Sequence, residues 1–318
     1  MSYVWPFLVS FLLTFALTPF VINLAVRSHA VDLPGERKVH FKPTPRWGGI
    51  GLFIGILGGA VFAYFSSHSF HQALVKRHLD DTAAIAGGML IMLVLGILDD
   101  LKPVSVKWKL FWQIAAAVWL IILGVKISFI SFPAGGKIVY LPFFISLVLS
   151  LFWIVGITNS LNLLDGLDGL LAGISTISAL FFFAIELEKG YLFPAFLLLA
   201  VSGASLGFLY YNFNPAKIFL GDSGSLSLGI LWASLTIVGT LKTSITAVFV
   251  PLLILGLPIL DTLVAIFRRF GKGKNIFVPD KEHLHHQLLK LGFSQKKAVL
   301  LLYLVTGILA SVAFFLSR

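Results

Sequence analysis

Apolar stretches of roughly 17 to 25 residues, each long enough to cross a hydrocarbon core as a helix, recur along almost the whole chain with short polar connections between them. They predict ten spans, at 3–24, 47–65, 83–99, 108–124, 138–157, 169–185, 191–210, 219–239, 244–266 and 297–316. Nothing is left over for a separate soluble domain. The expected architecture is therefore all-α, a polytopic integral membrane protein forming one transmembrane domain over residues 1–318. The first span is too long for a signal peptide and has no basic residue before it, which predicts a retained helix.

Composition agrees with this pattern. Hydrophobic residues make up 58% of the chain and charged residues 12%, and mean hydropathy is +0.96, a balance that leaves too little polar surface for a protein solvated by water. The absence of cysteine excludes disulfides, thiolate metal sites and a cysteine nucleophile. Net charge is +10, but the charges sit in short loops beside apolar spans, which argues against nucleic acid and for anionic ligands and membrane orientation. The connections after spans one, three, five, seven and nine hold 17 of the 24 basic residues. By the excess of Lys and Arg on the cytoplasmic side, those connections face the cytoplasm and both termini lie outside.

The acids share that face. Asp99 and Asp100 end the third span, where a helix C-terminus is already partly negative, so a cation must offset them. Lys102 is one candidate; the other is a site handling Mg²⁺ or a proton. The connection from Thr158 to Gly169 has no basic residue and carries Asn162, Asp165 and Asp168, with Asn162 and Asp165 three apart on one face if helical. Asp222 enters the eighth span among glycines, as a first-turn cap or as a Mg²⁺ ligand, with the amides of Gly221 to Gly224 open to phosphate oxygens. Phe219 is either core or a stacking platform for a base. His283, His285 and His286 lack zinc-site spacing and read as donors to a diphosphate. Asp261, inside the ninth span, is expected to pair with Arg268, seven residues later on nearly the same face.

These parts suit the attack of a lipid phosphate on the β-phosphorus of a nucleotide diphosphate sugar, one anhydride replacing another, where alignment and charge neutralisation matter more than an energy source. As an ordered set, Pro34 to His40 with Pro43 to Gly49, Leu98-Asp99-Asp100, Asn162 to Gly169, Phe219 to Ser225 and His283 to His286 resemble the polyprenyl-phosphate N-acetylhexosamine-1-phosphate transferases, glycosyltransferase family 4, which includes the MraY and WecA/TagO enzymes. The resemblance implies ten or eleven helices, Mg²⁺ (with Mn²⁺ as a substitute), undecaprenyl phosphate as acceptor and release of UMP, in the bacterial plasma membrane; it leaves a homodimer open.

Carried onto this chain, it makes Asp99 the candidate base, with Asp100 and Asp165 as the accompanying catalytic acids. Asp222 would bind the metal with Asn162, which would also meet substrate; Asp168 and Phe219 would hold uracil, and Asn212 would line the nucleotide pocket. Lys38, Arg46, Lys102, His283, His285 and His286 would meet the diphosphate or sugar. The string Arg37-Lys38-Val39-His40, and Leu284 interrupting the histidines, are similar to the branch that uses UDP-N-acetylglucosamine. The alternatives are the branch using UDP-N-acetylmuramoyl pentapeptide and, from another class, a transporter for an anionic solute, which would need its polar groups near mid-membrane.

Overall fold

The computed structural model of the chain describes residues 3–34, 42–131, 138–239, 246–271 and 283–318. The described helices are α1 (Val4–Arg27), α2 (Gly48–Ser66), α3 (His68–Arg77), α4 (Leu79–Leu101), α5 (Val106–Ile122), α6 (Phe143–Leu164), α7 (Leu170–Glu188), α8 (Leu192–Asn212), α9 (Gly221–Val238), α10 (Thr246–Ile254), α11 (Gly256–Gly271), α12 (Leu284–Lys290) and α13 (Gln295–Leu316). Four short strands form two antiparallel pairs: β1 (Val31–Asp32) with β2 (Thr44–Pro45), and β3 (Phe129–Ser131) with β4 (Ile138–Tyr140).

Every predicted span contains helix, yet only seven of the described helices, α1, α2, α4, α6, α7, α8 and α13, are by themselves long and apolar enough to cross a membrane. Three differences account for this. Helix α5 has 17 residues, and α9 opens on the polar run Gly221-Asp222-Ser223-Gly224-Ser225. The stretch expected as one span at 244–266 breaks at Leu255 into α10 and α11. Pro258 explains the break: it has no N–H to continue the ladder, and it is tolerated in the first turn of a new helix, where it now stands. The connection between α2 and α4, expected as a loop, is the short helix α3, capped by Ser67.

Outward faces carry exposed large apolar side chains, Phe20 at 71% and Phe152 at 72% among them. In water such surface would drive association; around a multi-pass membrane protein it is covered by lipid. The interior is organised on α9, buried from Ser223 to Val238 and packed by α2, α4 and α6. Small residues make this possible, as is usual between helices in lipid. A side-chain carbon at Gly49 would lie 2.2 Å from the amide of Gly224, and one at Gly96 2.2 Å from the amide of Ser223, so the backbones themselves touch. Asp222 stands at that crossing, and the β1–β2 register of Asp32 opposite Thr44 brings the loop after α1 to the same end of the bundle.

Candidate active site

Both acids that end α4 are buried. Asp99 Oδ1 accepts the amide of Val104 at 2.6 Å, turning the chain as the helix stops. From the first turn of α5, Lys109 reaches back, its Nζ 2.8 Å from Asp99 Oδ2 and 2.7 Å from Asp222 Oδ2. Lys102, one of the two candidates for offsetting these acids, is exposed at the C-cap of α4, because the chain turns there and α5 returns with Lys109 facing the acids. A lysine inside an apolar run is a functional signal in its own right; Lys109, within the predicted span 108–124, carries that signal, and sequence reasoning missed it.

Asp100 has a different task. Its two carboxylate oxygens accept the amides of Asp222 at 3.1 Å and Ser223 at 3.2 Å, and Arg46 Nη1 lies 3.9 Å away. The carboxylate thus satisfies two of the free donors at the start of α9 and opposes the helix dipole. Those amides are not open to phosphate, which corrects the expectation for the Gly221–Gly224 turn. Gly221, at φ +71°, leaves the space: a side-chain carbon there would meet Asp100 Oδ2 at 2.4 Å.

The last turn of α6 completes the centre. Asn162 Nδ2 donates to Asp222 Oδ1 at 3.2 Å and to Ser225 Oγ at 2.8 Å, placing Asn162 and Asp222 together as expected. One turn deeper, Asn159 and Gln113 exchange amide hydrogen bonds at 2.7 and 3.3 Å and tie α6 to α5. Asp165, at the C-cap of α6, keeps part of its surface open to the cavity described below. Burial pushes its carboxyl up to about 8, and the charges of Asp222 and Asp100 add to the rise.

Farther along the same loop, Asp168 Oδ2 accepts from Asn214 Nδ2 at 2.9 Å and from the amide of Ala216 at 3.0 Å. Asn214 Nδ2 also donates to Gln295 Oε1 at 2.7 Å. Asn212, expected to line the nucleotide pocket, borders the cavity, and its side chain also meets backbone on both sides, accepting from Gly169 N at 3.0 Å and donating to Ile218 O at 2.9 Å. It clamps two connections together.

Only one of the three histidines reaches the cavity. His286 lines it, whereas His283 and His285 are buried. His285, 2% exposed, packs against Gly166, where a side-chain carbon would meet its Nε2 at 2.3 Å. Burial, with His286 beside it, holds its ring down at about 4, so it is neutral at physiological pH. His283 Nδ1 lies 3.0 Å from Asp261 Oδ2, and the amide of Leu284 donates to Asp261 Oδ1 at 2.7 Å. The expected Asp261–Arg268 pair is therefore replaced: the carboxylate turns toward the histidine segment, where an amide and a ring nitrogen satisfy both oxygens.

A cavity of about 270 Å³ gathers these strings, with Arg46, Asp100, Asn162, Asp165, Asp168, Phe219, Asp222 and His286 in its wall. Asp32, which pairs with Arg46, and Gln295 line it too, and neither is marked as a site residue by its place in the sequence. Asp99 joins through Lys109 rather than by lining the cavity. Lys38 lies outside the described residues. Among the described residues no three acidic or histidine side chains already surround one point. Even so, Asp222, Asn162 and Asp165 line the same cavity, and two carboxylates with an amide are a donor set whose chemistry fits a hard divalent cation.

Known proteins share this sequence pattern. The model of "Glycosyl transferase family 4" matches residues 82–240. Over 308 residues the chain is 40% identical to a "Probable undecaprenyl-phosphate N-acetylglucosaminyl 1-phosphate transferase" of Bacillus subtilis, covering 96% of this chain and 82% of that protein. It is 39% identical over 323 residues to a "Decaprenyl-phosphate N-acetylglucosaminephosphotransferase" of Mycolicibacterium smegmatis, covering 94% and 78%. An "Undecaprenyl-phosphate alpha-N-acetylglucosaminyl 1-phosphate transferase" of Escherichia coli is 30% identical over 311 residues, covering 95% and 80%.

Proposed function

The chain belongs to glycosyl transferase family 4, and from that premise we propose that it transfers N-acetylglucosamine 1-phosphate from UDP-N-acetylglucosamine to undecaprenyl phosphate, releasing UMP. The observation that carries this reading is the bridge of Lys109 between Asp99 and Asp222, with Asn162 on the far side of Asp222, at the end of a lipid-facing bundle. Charge of both signs is concentrated where a lipid headgroup and a soluble diphosphate can meet.

In this reading the acceptor phosphate enters beside Lys109, which offsets its charge, and Asp99 takes its proton where one remains. A phosphate oxygen then attacks the β-phosphorus, and the bond to the UMP oxygen breaks in line. Arg46, held by Asp32, and His286 stabilise charge on the diphosphate as it shifts. Phe219 offers its ring to the uracil, and Asp168 offers a carboxylate to its N–H. Mg²⁺, or Mn²⁺ in its place, would be held by Asp222 with Asn162 and Asp165 and would neutralise charge between the phosphates. Asp100 acts by holding the start of α9, and with it Asp222, in place.

The same reading has ten crossings, with α5, α9 and the α10–α11 pair added to the seven long helices. The excess of basic residues at the site end sets that end in the cytoplasm of a bacterial plasma membrane.

Purified protein in detergent, given undecaprenyl phosphate, Mg²⁺ and a panel of UDP-sugars, should release UMP with UDP-N-acetylglucosamine and far less with UDP-N-acetylmuramoyl pentapeptide. Absence of UMP with every donor would refute the assignment. Lys109→Met leaves Asp99 and Asp222 facing each other without their shared cation, and the expected loss in kcat is ~10²-fold. A wild-type rate for that variant would remove Lys109 from the reaction.

A further inference from the structure

We propose that Asp261 is a positioning residue: from α11 it sets the first turn of α12 and thereby fixes where His286 stands in the cavity. The inference rests on the transfer reaction proposed above. A helix leaves its first amides without partners, and a side chain just before it usually supplies the acceptor. Here His283, in that position, makes no side-chain cap to α12, and the acceptor comes instead from Asp261, 23 residues before Leu284. With seven residues, α12 is far too short to hold its own shape in water, so its docking decides its placement.

That docking has two sides. Asp261 takes both the Leu284 amide and the His283 ring nitrogen. The His283 ring stacks parallel to that of His285, centroids 5.9 Å apart, and His285 lies buried against Gly166 in the acid-bearing loop after α6. The first turn of α12 is thus gripped between a membrane-embedded helix and the loop that carries Asp165. His286 follows immediately, its ring 4.3 Å from that of His285, and is the one ring of the three that lines the cavity. Asp261 itself does not line it, so it acts on substrate only indirectly, and its hydrogen bonds with His283 and Leu284 both go to the start of α12.

A double-mutant cycle separates positioning from general stabilisation. With UMP release as the readout and UDP-N-acetylglucosamine varied, His286→Ala should lose ~10²-fold in kcat/KM and Asp261→Ala ~10-fold. The double variant should be no worse than His286→Ala within about twofold, because placing an absent ring gains nothing. Asp261→Asn, which keeps an acceptor for the Leu284 amide, should recover to within about threefold of wild type. Losses that multiply to ~10³-fold, or a wild-type kcat/KM for Asp261→Ala, would overturn the inference. If Asp261→Ala fails to fold, Asp261→Ser, whose side chain is too short to reach both the Leu284 amide and the His283 ring, replaces it in the cycle with the same expected losses and the same criterion. Hydrogen exchange over residues 284–290 should also quicken in Asp261→Ala, and unchanged protection would overturn the inference whatever the reaction. A wild-type protein that releases no UMP refutes the transfer reaction, while the exchange result still judges the placement of α12.

Discussion

Asp222→Asn should cut turnover by ~10³-fold while leaving the protein folded. The amide is nearly the same shape, and the cap on α9 survives because Asp100 accepts the backbone N–H of residue 222 rather than its side chain. Asn162 can still donate to the remaining carbonyl oxygen. What disappears is charge: the ion pair with Lys109 and the negative charge that Asp222 brings to the cavity wall. Measuring kcat together with the melting temperature in detergent separates the two consequences. A wild-type rate would mean that the bridge from Asp99 to Asp222 is structural only.

Gly96→Ala tests the scaffold under that bridge, and the expected damage is to stability and activity together. The new methyl carbon would lie 2.2 Å from the amide nitrogen and 2.3 Å from the Cα of Ser223, both backbone atoms that no rotamer change can clear. Helices α4 and α9 must separate, and Asp100, four residues along α4, would lose its hold on the first turn of α9. The cost is about 3 kcal/mol, and kcat should fall by ~10²-fold as Asp222 leaves Lys109 and Asn162. Gly156→Ala, on α6 with nothing within 4 Å of the added carbon, is the control and should melt within a degree or so of wild type. Equal melting temperatures for Gly96→Ala and wild type would show that the α4–α9 crossing is looser than described.

The helices were legible because lipid imposes a length: an apolar run near twenty residues has few other uses, and each predicted span holds helix. The meeting of Asn162 with Asp222 was legible too, since acids and amides placed beside lipid are costly without partners. What stayed hidden depends on side chains from distant strings finding one another. Asp99 and Asp100 are adjacent and of one residue type, yet they face about 100° apart around the helix, and Asp100 caps a helix 122 residues away while Asp99 holds Lys109. Asp261 has Arg268 two turns along its own helix, so local spacing favours that pair; the histidine segment, brought alongside by the path of the chain, takes the carboxylate instead. Asn212 was placed in the pocket wall by the resemblance alone, and it does border the cavity; that it also ties two connections together through one backbone amide and one backbone carbonyl could not be read from its place in the chain.

The most direct test of one cavity carrying out phosphoryl-sugar exchange is to follow the β-phosphorus. UDP-N-acetylglucosamine labelled with ³²P at the β position is incubated with the purified protein, Mg²⁺ and undecaprenyl phosphate, and the organic and aqueous phases are counted. The label should move to the lipid phase in step with release of unlabelled UMP, one for one. Label that stays in water as UDP, meaning that sugar alone was transferred, or as free sugar phosphate, meaning hydrolysis, would contradict the account.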